Sequence, residues 1–130
     1  MNSKKFAKNL IDFIYNSPTA FHAVSTSKEL LDANGFIELD SCKMWDVKVG
    51  GKYYITKNSS AIVAFTVNSD NIEKEGFRII GSHSDSPSFR IKPNAEIESE
   101  KAYLKLNTEC YGGPILSTWL DRPLGIAGRV

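Results

Sequence analysis

The sequence predicts an α/β fold: a layered unit with two helices on one face of strands, followed by a segment of all-β texture. Three observations carry this. Helical spacing of apolar residues occupies the front of the chain, β-branched and aromatic runs occupy the middle, and short alternating runs separated by polar or Pro-Asn breaks occupy the far end.

The first helix is read from residues 3 to 15, where Phe6, Leu10, Ile11, Phe13 and Ile14 recur at helical spacing and the polar residues fall elsewhere. Ser17 and Pro18 end it. Ser17 or Thr19 caps a second helix from about Ala20 to Asn34, with Phe21, Val24, Leu30 and Leu31 inward and Gly35 just past its end. His22, in the first turn, reads as a packing or hydrogen-bonding residue. Phe36 to Leu39 is a short strand. Lys52 to Lys57 and Ala61 to Val67 flank Asn58-Ser59-Ser60 as a β-hairpin, preceded by a turn at Val47 to Gly51. Trp45, Tyr53 and Tyr54 read as packing residues, because no basic groove accompanies them. Asn71 to Glu75 reads as a solvated loop, and Phe77 to Ser82 as a buried strand. Beyond Pro87, alternating runs at Phe89 to Lys92, Glu96 to Glu98 and Ala102 to Thr108 lead to the glycine turn of Glu109 to Pro114. A boundary near Pro93 and Asn94 divides the chain into residues 1–93 and 94–130.

At 130 residues the chain is long enough for one domain with a real core. Its net charge of +1, with both signs interspersed, offers no field to attract nucleic acid or an anionic membrane. No apolar run has the length of a membrane span. The N-terminus lacks the apolar core of a secretory signal, so the expected location is cytoplasmic. Cys42 and Cys110 are far apart and are expected as reduced thiols, Cys110 buried. The last residues, from Leu116 to Val130, stay apolar to the end, and Ala127 to Val130 reads as the opening of a strand. The expectation is that these 130 residues are the front of something longer.

The sharpest chemical signal is Gly81-Ser82-His83-Ser84-Asp85-Ser86-Pro87. Open α/β sheets bind ligands just beyond the C-terminal ends of their strands, and this run delivers a histidine and an aspartate there. A neutral imidazole is a metal ligand, and an aspartate that takes the other ring N–H fixes its tautomer. A histidine hydrogen-bonded for purely structural reasons fits the same spacing. There is no phosphate-binding glycine loop: Val49-Gly50-Gly51 and Tyr111-Gly112-Gly113-Pro114 match neither nucleotide fingerprint.

Three segments together resemble one family. Ser17 to Val24, Gly81 to Pro93 and Glu109 to Val130 are similar, in order, to the aspartyl aminopeptidases, which are dinuclear zinc exopeptidases. The resemblance implies the N-terminal part of a zinc-exopeptidase-like α/β catalytic domain (residues 1–93). It leads into a β-rich dimerisation domain (94–130) that is incomplete here. It implies that His83 is a zinc ligand and that Asp85 orients it as part of the catalytic machinery. The rest would lie beyond Val130: a bridging Asp, a Glu-Glu pair giving general base and ligand, another Asp and a late His. Two zinc ions per complete subunit, peptide substrates with acidic N-termini and homo-oligomeric assembly are likewise implied. Ser84 stands where a threonine is common, and Pro123 follows Asp121-Arg122 where an acidic residue is often found. A lone histidine with its aspartate is short of the three protein ligands of a catalytic zinc, so the chain by itself is expected to be inactive. The competing reading is a non-catalytic β-rich interaction module, with Trp119 and Leu120 on its assembly surface.

Overall fold

A computed structural model describes residues 2–129. They form two compact units, Met1–Asp85 with Ala127–Val130, and Ser86–Ile126.

In the first unit, α1 (Ser3–Tyr15) starts at Asn2, whose side chain accepts from the Lys4 N–H at 3.1 Å. Its apolar stripe is as read from the periodicity, yet Phe6, Leu10, Ile11 and Ile14 all remain exposed. α2 (Ala20–Ala33) is capped by Thr19, whose hydroxyl accepts from the His22 N–H at 3.4 Å and meets His22 Nδ1 at 2.8 Å. Its far end closes as a Schellman motif: the Phe36 N–H donates to the Leu31 carbonyl, the Gly35 N–H to that of Asp32, and Gly35 takes φ +77°. Along α2, Val24 is buried at 2% exposure and Ala23 beside it, whereas Leu30 faces out, contrary to its expected inward position.

The sheet has the order β1-β2-β3, with β1 (Ile37–Glu38) parallel to β2 (Lys52–Lys57) and β2 antiparallel to β3 (Ala61–Thr66). Successive side chains of a strand point to opposite faces, and β2 buries both its neighbouring tyrosines. Tyr54 reaches α2, where its hydroxyl donates to Asp32 Oδ1 at 2.8 Å. Tyr53 packs on its cross-strand partner Phe65, ring centroids 5.7 Å apart, and its hydroxyl accepts from the Lys48 N–H. Trp45 completes that face, 6.4 Å from Phe65, with its indole N–H on the Asp40 carbonyl. Helix therefore covers one side of β2 and an aromatic loop the other.

Two sequence expectations fail in this unit. Asn71 to Glu75 is not a loop but carries a single helical turn, α3 (Ile72–Glu75). Residues 77–82 are not a buried strand: they lie outside helix and strand, and Ile80 is 99% exposed. A strand is a strand only by virtue of a partner, and none of the described sheet edges pairs with this run. Residues 127–129 are also not in a strand; Val130 lies outside the described residues.

The second unit is a twisted antiparallel ribbon of β4 (Ser88–Ser99) and β5 (Tyr103–Tyr111). The alternating runs before and after Pro93 and Asn94 belong to one long strand. The register shifts between Ile91 and Glu96, where Pro93 has no N–H to offer the ladder. The Asn107 amide bridges the irregularity by donating to the Asn94 carbonyl at 3.0 Å. Phe89 meets Trp119 edge-on at 5.2 Å, next to the short 3-10 turn Leu116–Thr118. Cys42 and Cys110 are both free and exposed, so the expected burial of Cys110 does not hold: it projects from an uncovered face of the ribbon. Among the described residues, no helix is long and apolar enough to cross a membrane.

Candidate metal centre

The chain reaches His83 through the irregular run that leaves α3 at Gly76, a glycine with φ +65°. His83 Nδ1 lies 2.8 Å from the Asp85 carbonyl oxygen and 3.1 Å from Asp85 Oδ1. A carbonyl oxygen only accepts, so the proton of a neutral ring sits on Nδ1. The lone pair is then on Nε2, the atom a metal would take. The side chain of His83 is 78% exposed and that of Asp85 42%. Nε2 is therefore accessible while Nδ1 is held. This is the arrangement that a ligating imidazole needs from its supporting carboxylate.

The same segment is fastened to the sheet by a residue that spacing did not single out. Ser84 Oγ donates to the backbone carbonyl of Ser60 at 2.9 Å. Ser60 closes the turn between β2 and β3, its N–H donating to the Lys57 carbonyl at 3.1 Å. Asn58 and Ser59 inside that turn take φ +52° and +56°. The one sequence signal for this role is a hydroxyl residue between the histidine and the aspartate.

Other candidate groups are used elsewhere. His22 is tied to the cap of α2 by Thr19, as its reading as a hydrogen-bonding residue requires. A shallow hollow of about 420 Å³ is lined by Glu38, Leu39, Asp40, Ser41 and Thr56. Its carboxylates are partnered: Glu38 by Lys28 at 3.0 Å and by Thr56, Asp40 by Lys43 and the Cys42 N–H. The Cys42 N–H first, then Lys43, hold the Asp40 carboxyl below its usual range. Arg90 sits 3.5 Å over the Tyr111 ring, a stacking contact where sequence alone suggested a surface ion pair. Among the described residues, no three His, Cys, Asp or Glu side chains converge to hold a metal ion. The histidine and its orienting aspartate thus fit one corner of a zinc site, and the described chain supplies that corner only.

Known proteins place this corner in a family. Residues 13–130 match the family described as aminopeptidase I zinc metalloprotease (M18). A probable M18 family aminopeptidase 2 of Clostridium novyi is 62% identical over 99% of this chain and 30% of its own length. The corresponding protein of Stutzerimonas stutzeri is 42% identical over 95% of this chain and 28% of its own. Among solved structures, a chain of the Ape4 and Nbr1 complex superposes with TM-score 0.84 at 36% identity, covering 92% of this chain and 23% of that one. The M18 aminopeptidase of Thermotoga maritima superposes at 0.78 with 30% identity, covering 91% and 25%. The chain spans about 30% of the length of the curated relatives it matches. It belongs to the M18 family of aminopeptidase I zinc metalloproteases.

Proposed function

We propose that this chain is the N-terminal part of a zinc-dependent aminopeptidase that removes N-terminal residues, preferentially Asp or Glu, from peptides. The observation that carries the reading is the doubly accepted Nδ1 of His83, which leaves Nε2 directed for a metal. His83 is the first zinc ligand and Asp85 its positioning carboxylate. Zinc in such a site acts as a Lewis acid toward the scissile carbonyl and lowers the pKa of water. Asp85 holds the ring in one tautomer and adds electron density to it, and Ser84 ties the segment to the hairpin.

The complete enzyme takes two zinc ions, with its remaining ligands and general base supplied by residues after Val130. Residues 1–93 contribute to the catalytic domain and residues 94–130 begin a β-rich dimerisation domain. Homo-oligomeric assembly is supported by the relative named as an S. cerevisiae mApe1 dodecamer, which superposes with TM-score 0.79. The enzyme works in the cytoplasm. In it, Phe77 to Ser82 gains sheet partners and the apolar face of α1 is covered.

Chelator-sensitive release of Asp from an Asp-peptide by the complete enzyme tests the reading, with His83→Ala beside it. Metal-dependent turnover lost in His83→Ala supports it. The alternative of a non-catalytic β-rich assembly module predicts instead that Leu120, 67% exposed, matters for assembly and His83 for nothing.

A further inference from the structure

We infer that Ser84 and the Asn58-Ser59-Ser60 turn are a positioning device for the His83 ligand, an inference that rests on the metal-site reading above. The reasoning starts from what holds residues 77–85 in place. They form neither helix nor strand, so they lack the ladder of backbone bonds that would fix a ligand on a strand end. His83 and Asp85 bond to each other, which sets the ring relative to the aspartate but not relative to the sheet. Ser82 Oγ donates to the adjacent His83 carbonyl, again within the segment. The bond from Ser84 Oγ to the Ser60 carbonyl spans 24 residues and joins the pair to β2 and β3.

The receiving carbonyl is itself fixed. Lys57 pairs with Ala61, the Ser60 N–H closes the turn on the Lys57 carbonyl, and two residues at positive φ set its course. Ser59 is neither Gly nor Asn, and an ordinary L-residue adopts the left-handed region only at a cost. The hairpin holds that conformation, and with it the direction of the Ser60 carbonyl. Ser84 lies between the ligand and its orienting aspartate. Its side-chain bond therefore fixes the backbone of both neighbours. Loss of this bond leaves His83 and Asp85 paired but free to move together, so the expected effect is on metal affinity and not on tautomer.

The test uses the complete enzyme and four variants: Ser84→Ala, Ser84→Val, Ser84→Thr and His83→Ala. Zinc affinity is read by competition with a chromophoric chelator, and thermal stability is recorded alongside. Ser84 is exposed, so its variants are expected to melt with the parent. Supporting partners of metal ligands are worth about 10- to 100-fold in affinity. Ser84→Ala and Ser84→Val should bind one zinc about tenfold more weakly, while Ser84→Thr, which keeps the hydroxyl, binds as the parent does. If His83→Ala loses zinc and Ser84→Val binds like the parent, the positioning role is overturned and the ligand reading stands. If His83→Ala retains all its zinc with parental affinity, the ligand reading falls and this inference with it.

Discussion

The Tyr54 hydroxyl donates to the Asp32 carboxylate across 2.8 Å, joining the central strand of the first unit to the second turn from the end of α2. Tyr54 is 1% exposed, the most deeply buried large side chain described. Burial above all, then the hydrogen bond to Asp32, then the negative charge of Glu38, push its phenol up from 10.0 to about 12. The folded state holds this proton more tightly than the unfolded chain does. The corresponding stability is whole below the unfolded value near pH 10 and drains away as pH rises toward 12. Tyr54→Phe should cost about 1 to 2 kcal/mol at neutral pH in denaturant titrations. It should also flatten the loss of stability between pH 10 and 12.

The cap of α2 gives a second expectation. Thr19→Ala removes the oxygen that receives the His22 N–H and should destabilise by about 1 kcal/mol, with Thr19→Asp recovering most of it. His22→Ala should leave the zinc content of the complete enzyme unchanged, because His22 serves the cap. Metal analysis and thermal melts of the three variants check both statements.

Ile80 separates the behaviour of the chain from that of the whole. At 99% exposure, Ile80→Lys should shift the stability of the 130-residue chain by less than about 0.5 kcal/mol. In the complete enzyme, where the run gains sheet partners, the same change buries an unpaired ammonium. It should cost at least about 3 kcal/mol or abolish folding. Equal, small effects in both would show that residues 77–82 stay uncovered.

The purified 130-residue chain should not release Asp from an Asp-peptide at any zinc concentration that the complete enzyme needs. One imidazole and its supporting carboxylate are short of the three protein ligands a catalytic zinc requires. Chelator-sensitive turnover by the chain alone would overturn that.

Local signals were legible where the physics is local. The Thr19 cap, the Gly35 stop, the Asn58-Ser59-Ser60 hairpin and the packing role of Tyr53 and Tyr54 all follow from residue chemistry over a few positions. The buried strand at residues 77–82 was legible as composition only. Burial and pairing are properties of partners, and the described sheet offers that run none. Cys110 was misplaced for a related reason: a two-stranded ribbon has no second layer to hide it. At the site, the His-x-Asp spacing was enough to find the ligand and its aspartate. It was not enough to find Ser84, because the carbonyl it grips is 24 residues away.

The central claim is that His83 carries zinc through Nε2. Its most direct test is the metal content per chain of the complete enzyme, wild type against His83→Ala, by elemental mass spectrometry after gel filtration. The account predicts two zinc ions in the parent and the loss of at least one in the variant, with aminopeptidase turnover gone. Full zinc content and unimpaired turnover in His83→Ala would contradict it.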